Sequence, residues 1–430
     1  MPSQKGINRD ILAIALPAIV SNITTPVLGL VDVAITGHIG SAAYIGAIAV
    51  GSTMFNMLYW LFGFLRMGTA GLTSQSCGAE DFHSSSATLL RALLMSTGIA
   101  LLLIVFYKPL GYAVLNFLDA DDATAPLARA YFAMVIFSAP AVLGMYSLNG
   151  WLLGMQNTRL PMWIALLTNV VNIAVSATAV FIFGMKIEGV ALGTLSAQWI
   201  GFIVCIIALW LRYRPEYVPI RELLHRQSLI RLFKINFDIF LRTLCLVAVT
   251  AWFTRCGASQ GVEILAANAL LMQLFMLFSY FSDGFAFAGE ALSGKMEGAG
   301  NRAGLKRVMH ALLRWGTSIA LTFTAIYFIC GEWIIKLLTD EGSVVDTARE
   351  YLPWAVSVPI CGIMAFIYDG VAVGLTLTRR MLLSVALGMA VFFAIWLMLQ
   401  PVIGNHGLWL AFIAYLAVRG ISLHILLSKL

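Results

Sequence analysis

The sequence predicts an all-α integral membrane protein, with twelve transmembrane helices in two six-helix lobes related by a parallel internal repeat. Three observations carry this. Of 430 residues, 60% are hydrophobic and only 11% charged, with a mean hydropathy of +0.89, whereas soluble domains carry about 25% charged residues. Apolar segments of about 20 residues, each long enough to cross a ~30 Å hydrocarbon core, recur from end to end. Short motifs from the first half return in the second at a nearly constant offset.

In chain order, the apolar runs place helices at 10–35, 44–70, 87–106, 126–153, 161–183, 188–211, 236–256, 263–291, 307–330, 347–376, 381–401 and 407–427. The first run follows "MPSQKGINRD"; it is too long for a signal h-region and has no cleavage site, so it reads as a span. Residues 1–211 make the N-terminal lobe, 212–235 a basic cytoplasmic linker and 236–430 the C-terminal lobe. Loops that face the cytoplasm if the N-terminus does carry sixteen Lys and Arg, and those opposite carry six. This positive-inside bias puts both termini in the cytoplasm. The pI of about 9.0 has the same origin, so the basic charge borders spans and does not indicate nucleic-acid binding. The six cysteines are scattered, most of them inside apolar runs, and read as small core residues without a disulfide framework. The six histidines show no metal spacing, and no metal or organic cofactor is expected. The expected state is a monomer in the lipid bilayer.

The repeat is explicit. "GWLLGMQNTRLPM" (Gly150–Met162) returns as "GVAVGLTLTRRML" (Gly370–Leu382), with Gly150/Gly370, Gly154/Gly374, Thr158/Thr378 and Arg159/Arg379 all 220 residues apart. "GFLRMGTAG" returns as "GFAFAGEAL" from Gly284, and "GVALG" more weakly as "GLWLA". An even number of spans per half inserts both halves in the same orientation. Parallel repeats of this kind, with a site between or within them, are a transporter architecture.

Ionisable residues inside spans are costly and therefore candidates for function. Asp32 ends a long uncharged run, just below the outer end of the first helix and behind Pro17 and Pro26. The plain reading is a residue already in water; the other is a buried carboxylate whose change of charge drives something. In the second half, Arg242 lies about six residues inside the start of its helix. Asp283 and Asp369 lie about seven residues before the inner ends of theirs, so all three sit ~10 Å above the inner boundary. They are expected to pair, either as a structural ion network or as a second cation- or substrate-binding site. At the repeat offset, Asp369 corresponds to the uncharged Asn149.

The motifs "GLVDVAITGHIG", "GLTSQSCGAED", "GWLLGMQNTRLP", "TNVVNIAVS", "EGVALGTLSAQ", "FSDGFAFAGEALSG" and "GNHGLWLAF" together resemble the MATE (multidrug and toxic compound extrusion) family, and within it the DinF-like branch. The similarity spans essentially the whole chain. It implies a cation-coupled antiporter of the bacterial inner membrane that expels small organic, often cationic, compounds by alternating access. The family's cation-coupling aspartate falls on Asp32. The asparagine of its fifth-helix pattern falls on Asn172, but the usual Asn-x-x-x-Asp has become Asn172–Ser176. A hard cation wants several oxygens; Asp32, Asn172, Ser176 and Thr194 can supply some, and loss of the second carboxylate favours H+ over Na+. Desolvation favours the neutral acid, which can load a proton outside and release it when hydrated inward.

Remaining features have plainer readings. Glu290 is expected at the interface, and Arg66, Arg91, Arg314 and Arg419 are expected to snorkel to the cytoplasmic face. Met145, Met272, Met276 and Phe278 are candidates for an adaptable pocket. A flippase for lipid-linked sugars is the alternative transporter, though it would line its cavity with more cations. An integral-membrane enzyme would need clustered His, Asp or Ser at one membrane face, which no loop shows, so the chain reads as a non-enzyme.

Overall fold

The computed structural model describes residues 4–37, 42–117 and 124–428, and every regular element among them is helical. In chain order these are α1 (Gln4–Gly37), α2 (Ala42–Leu61), α3 (Phe64–Gly78), α4 (Phe82–Val105), α5 (Tyr107–Phe117), α6 (Ala125–Val135), α7 (Ala139–Gly154), α8 (Arg159–Ala177), α9 (Ile187–Tyr213), α10 (Ile220–Leu223), α11 (Arg226–Ser259), α12 (Val262–Gly298), α13 (Arg302–Leu338), α14 (Gly342–Gly374), α15 (Thr378–Ile403) and α16 (Asn405–Leu427). Eleven segments of the described residues are long and apolar enough to cross a membrane. The more highly charged α11 is the remaining member of the twelve.

Two helices expected to be continuous are broken. The 44–70 run divides into α2 and α3 at Phe62–Gly63, where the chain tightens through bonds from Phe62 N to the Tyr59 carbonyl and Gly63 N to the Trp60 carbonyl. The 126–153 run divides into α6 and α7 across a 3₁₀ turn, Ile136–Ser138. Pro140 opens α7. It lacks an N–H and its ring clashes with the preceding turn, which explains the break. Pro359 lies inside α14. One turn before it, the Val356 carbonyl accepts a bond from Thr324 Oγ1 of α13 (3.3 Å), so a neighbouring helix supplies a donor beside the proline.

The chain forms two compact units. One is Val20–Phe233; the other is Lys234–Leu430 with the N-terminal residues to Ile19. The segment expected to be a linker is thus held largely within the first unit, where Val218 and Leu223 are buried against Ala87 of α4. The start of α1 packs with the second unit. There a Cβ on Gly284 would stand 2.4 Å from Ile19 and 2.9 Å from the Ala15 carbonyl, so only glycine allows the approach.

The internal repeat is written in backbone geometry. A Cβ on Gly150 of α7 would lie 2.3 Å from the Arg66 carbonyl of α3, and one on Gly370 of α14 would lie 2.1 Å from the Ala286 carbonyl of α12. Gly154 meets Ala70 and Thr73 as Gly374 meets Glu290 and Ser293. Six residues of positive φ form matching pairs, Glu80 with Gly300, Gln156 with Thr376 and Gly184 with Gly404, each pair 220 residues apart. Caps match too. The Asp81 carboxylate accepts from Ser84 N (2.9 Å), and the Asn301 side chain accepts from Gly304 N (2.8 Å).

Candidate functional site

Within the first unit, α8 and α9 close on each other because Gly193 has no side chain. A Cβ there would stand 1.9 Å from Ser176 Oγ. Asn172 and Ser176 are one helical turn apart and share a face, and both are buried. Asn172 Nδ2 donates to Thr194 Oγ1 (3.2 Å), and Tyr131 OH lies 3.5 Å from the same hydroxyl. Asn172, Ser176 and Thr194 are therefore brought together. Asn172 Oδ1 and Ser176 Oγ are buried with no hydrogen-bond partner among the described residues. Oxygens left bare in a low dielectric are costly unless an ion, a proton donor or water meets them.

Asp32 lies on the α1 backbone, but its side chain falls outside the described residues. The helix that carries it does touch α8, since Asn169 Nδ2 donates to the Thr24 carbonyl at 3.3 Å. From that contact Asp32 is eight residues further along α1 and Ser176 seven further along α8. At about 1.5 Å per residue, the two Cα positions rise by similar amounts, roughly 10–12 Å.

The second unit holds a charge cluster on α11, α14 and α16. Asp369 Oδ2 accepts from Arg242 Nη2 at 2.5 Å and from Arg419 Nη2 at 2.6 Å. Arg419 also donates from Nη1 to Tyr415 OH (3.2 Å), one turn earlier on α16. Asp369 and Arg419 are each only 6% exposed. The structure joins Arg242 to Asp369, and it corrects one expectation. Arg419 does not snorkel: it is the second cation of the cluster. Asp283 is half-buried on α12.

The depth count that singled out Arg242 and Asp369 applied equally to Arg419, eight residues before the end of α16, and was the signal that would have found it. Two further expectations are overturned. Glu290 is buried, not interfacial, because α12 extends eight residues beyond it. Phe278 is fully buried against Phe323 and Phe366, in the aromatic core of its unit.

A duplicated bundle of membrane helices, with polar groups buried inside the spans of each half, defines a membrane transporter built from parallel repeats. The MatE family model matches residues 17–178 and 235–398. DNA damage-inducible protein F of Escherichia coli K12 is 37% identical over 412 residues, covering 95% of this chain and 90% of that one. The multidrug resistance protein NorM of Vibrio cholerae is 23% identical over 433 residues, covering 96% and 93%. Among solved structures, the Vibrio cholerae MATE transporter VcmN in its bent form shares the fold at a TM-score of 0.88, with 19% identity over 99% of this chain and 97% of that one. A MOP superfamily transporter from Pyrococcus furiosus does so at 0.85, with 15% identity over 98% and 95%. The chain belongs to the MATE family.

Proposed function

We propose that this protein exports small organic compounds, many of them cationic, from the cytoplasm by alternating access, driven by inward movement of a cation. It works as a monomer in the bacterial inner membrane with both termini cytoplasmic. The observation that supports this best is the pair Asn172 and Ser176, buried with two bare oxygens and with Asn172 bonded to Thr194 of α9, on the helix that is itself bonded to the one that carries Asp32. A carboxylate at that level titrates between a proton taken from outside and release inward, and its changes of charge and hydration bias the two access states. The coupling ion is H+. Ser176 stands where the family carries a second aspartate, and a hydroxyl offers a hard cation less than a carboxylate does.

The test is dye efflux from transporter-deficient cells, with pH and sodium varied separately. Asp32→Asn mimics the protonated acid, so it should insert and fold normally yet lose coupled efflux. Near-normal efflux by that variant would end the proposal. Wild-type efflux should persist in sodium-free buffer and collapse with a protonophore. Strict dependence on sodium would overturn the choice of ion while leaving Asp32 in its role.

A further inference from the structure

The segment between α9 and α11 has no part in the proposed coupling, yet it is firmly placed. Arg214 takes a left-handed conformation (φ 47°) and ends α9, with its N–H bonded to the Trp210 carbonyl. The chain then turns back onto α4. Glu216 N donates to Ser86 Oγ (3.1 Å), and Arg91 donates from Nε to the Leu223 carbonyl (3.1 Å) and from Nη2 to the Glu222 carbonyl (2.9 Å). Those contacts close the exposed C-terminal end of α10, and they replace the snorkelling expected of Arg91.

Depth follows from the partners. Ala87, Leu90 and Arg91 lie five to nine residues into α4, ~8–13 Å from its start, where its long apolar run begins. The short helix α10 therefore lies beside the inner end of a membrane span and does not project beyond it. The two faces of the segment around it differ. Val218 and Leu223 point inward and are buried. Tyr217, Ile220 and Leu224 point away at 85%, 72% and 59% exposure, which is unusual for large apolar groups at the edge of a packed element.

Charge completes the pattern. Residues 212–234 contain six basic and two acidic side chains. Both acids are occupied by one imidazole, with His83 Nδ1 3.0 Å from Glu216 Oε2 and Nε2 3.0 Å from Glu222 Oε1. The surface keeps a net basic excess, with Arg214, Arg221 and Arg226 all exposed. An apolar face at interfacial depth flanked by arginines is the pattern of an element that lies on an anionic membrane surface.

We infer that the segment Arg214–Arg226 docks on anionic phospholipid headgroups at the inner membrane surface, with Tyr217, Ile220 and Leu224 entering the interface and the three arginines meeting phosphates. This rests on the cytoplasmic placement of this segment in the proposed function, and not on what the chain carries or which ion drives it.

The test is amide hydrogen exchange of the full-length protein in nanodiscs of phosphatidylcholine alone or with about one third phosphatidylglycerol. Each basic residue near such a surface contributes about fivefold to docking, so the Arg214→Gln/Arg221→Gln/Arg226→Gln variant can lose up to roughly 100-fold of the protection that phosphatidylglycerol adds. The expected result is protection of 216–226 that rises with phosphatidylglycerol, falls with salt and is lost in the variant, while exchange in α8 and α9 stays the same. Equal protection in both lipids, or a phosphatidylglycerol effect that survives in the variant, would overturn the inference. Equal protection by soluble glycerol phosphate on neutral discs would do so as well, since it would mark a phosphate pocket and not a membrane-facing surface.

Discussion

Asp369→Asn is the sharpest perturbation available in the second unit. The wild-type cluster sets one carboxylate against two guanidinium groups, with both Nη2 atoms on the same oxygen at 2.5 and 2.6 Å. The amide removes the only anion of these two ion pairs, and one buried excess charge becomes two. Breaking a buried pair in this way costs about 3–5 kcal/mol, because the abandoned charge stays desolvated. Arg242 offers limited relief, since its side chain is 12% exposed and can recover some hydration. For a unit of roughly 200 residues, each kcal/mol moves the melting temperature by ~2–4 °C, so the fall should be about 6–20 °C. Detergent-solubilised melting, measured beside dye affinity, is the assay. Adding Arg419→Gln restores the original excess of one charge and should recover part of the loss. If Asp369→Asn melts like the wild type but no longer binds dye, the cluster is a ligand site and its reading as an ion lock is wrong.

The close helix crossings and turns give three more outcomes. Gly370→Ala drives a Cβ to 2.1 Å from the Ala286 carbonyl; against helical backbone this should cost about 3 kcal/mol, whereas Gly98→Ala, which meets nothing within 4 Å, should be neutral or slightly stabilising by thermal melting. Glu80→Gly removes a left-handed non-glycine residue (φ 58°) and should stabilise by up to about 1 kcal/mol, while Gly300→Ala at the matching position should destabilise; equal shifts of one sign would refute this. The Ser84 N–H bond holds the Asp81 carboxyl below its ordinary range, so the cap is complete at neutral pH and fades as acid protonates it below that range. Asp81→Ala should cost ~1 kcal/mol at pH 7 and progressively less in acid.

Hydrophobic run length was enough to find all twelve helices, because a span must satisfy its own backbone in lipid and the length needed is fixed. It could not find the breaks at Gly63 and Pro140, since both lie in apolar stretches where hydropathy stays high through the turn. The glycine pairs were legible as close-packing positions, and they proved to be places where backbone meets backbone. Counting residues from a helix end gives a side chain's depth but not its azimuth. That is why Arg242 and Asp369 were found while Arg419, at a like depth, was expected to snorkel. The position of Arg419 along α16 gave its depth, but its inward turn toward Asp369 on α14 is a non-local pairing that depth alone does not show. Likewise, nothing in residues 212–235 announces that Val218 and Leu223 will lie against α4.

The matched turns have a practical meaning. Each left-handed residue of these pairs has a replica 220 positions away in the same kind of turn but, at Glu80 and Gln156, with a different side chain, so the molecule carries internal controls for its own mutagenesis. Where paired substitutions act alike in the two halves, backbone geometry is the cause. Where they diverge, the position has been specialised. On the first half, that divergence should concentrate at Asn172 and Ser176, which correspond to Phe392 and Trp396, and at Thr194, which corresponds to Phe412 at the offset of 218 set by Gly189/Gly407. On the second, it should fall at Asp369, which corresponds to Asn149, and at Arg419, which corresponds to Gly201 at the offset of 218 set by Gly189/Gly407. A complete substitution scan folded onto itself at this offset would separate scaffold from machinery without reference to any other protein.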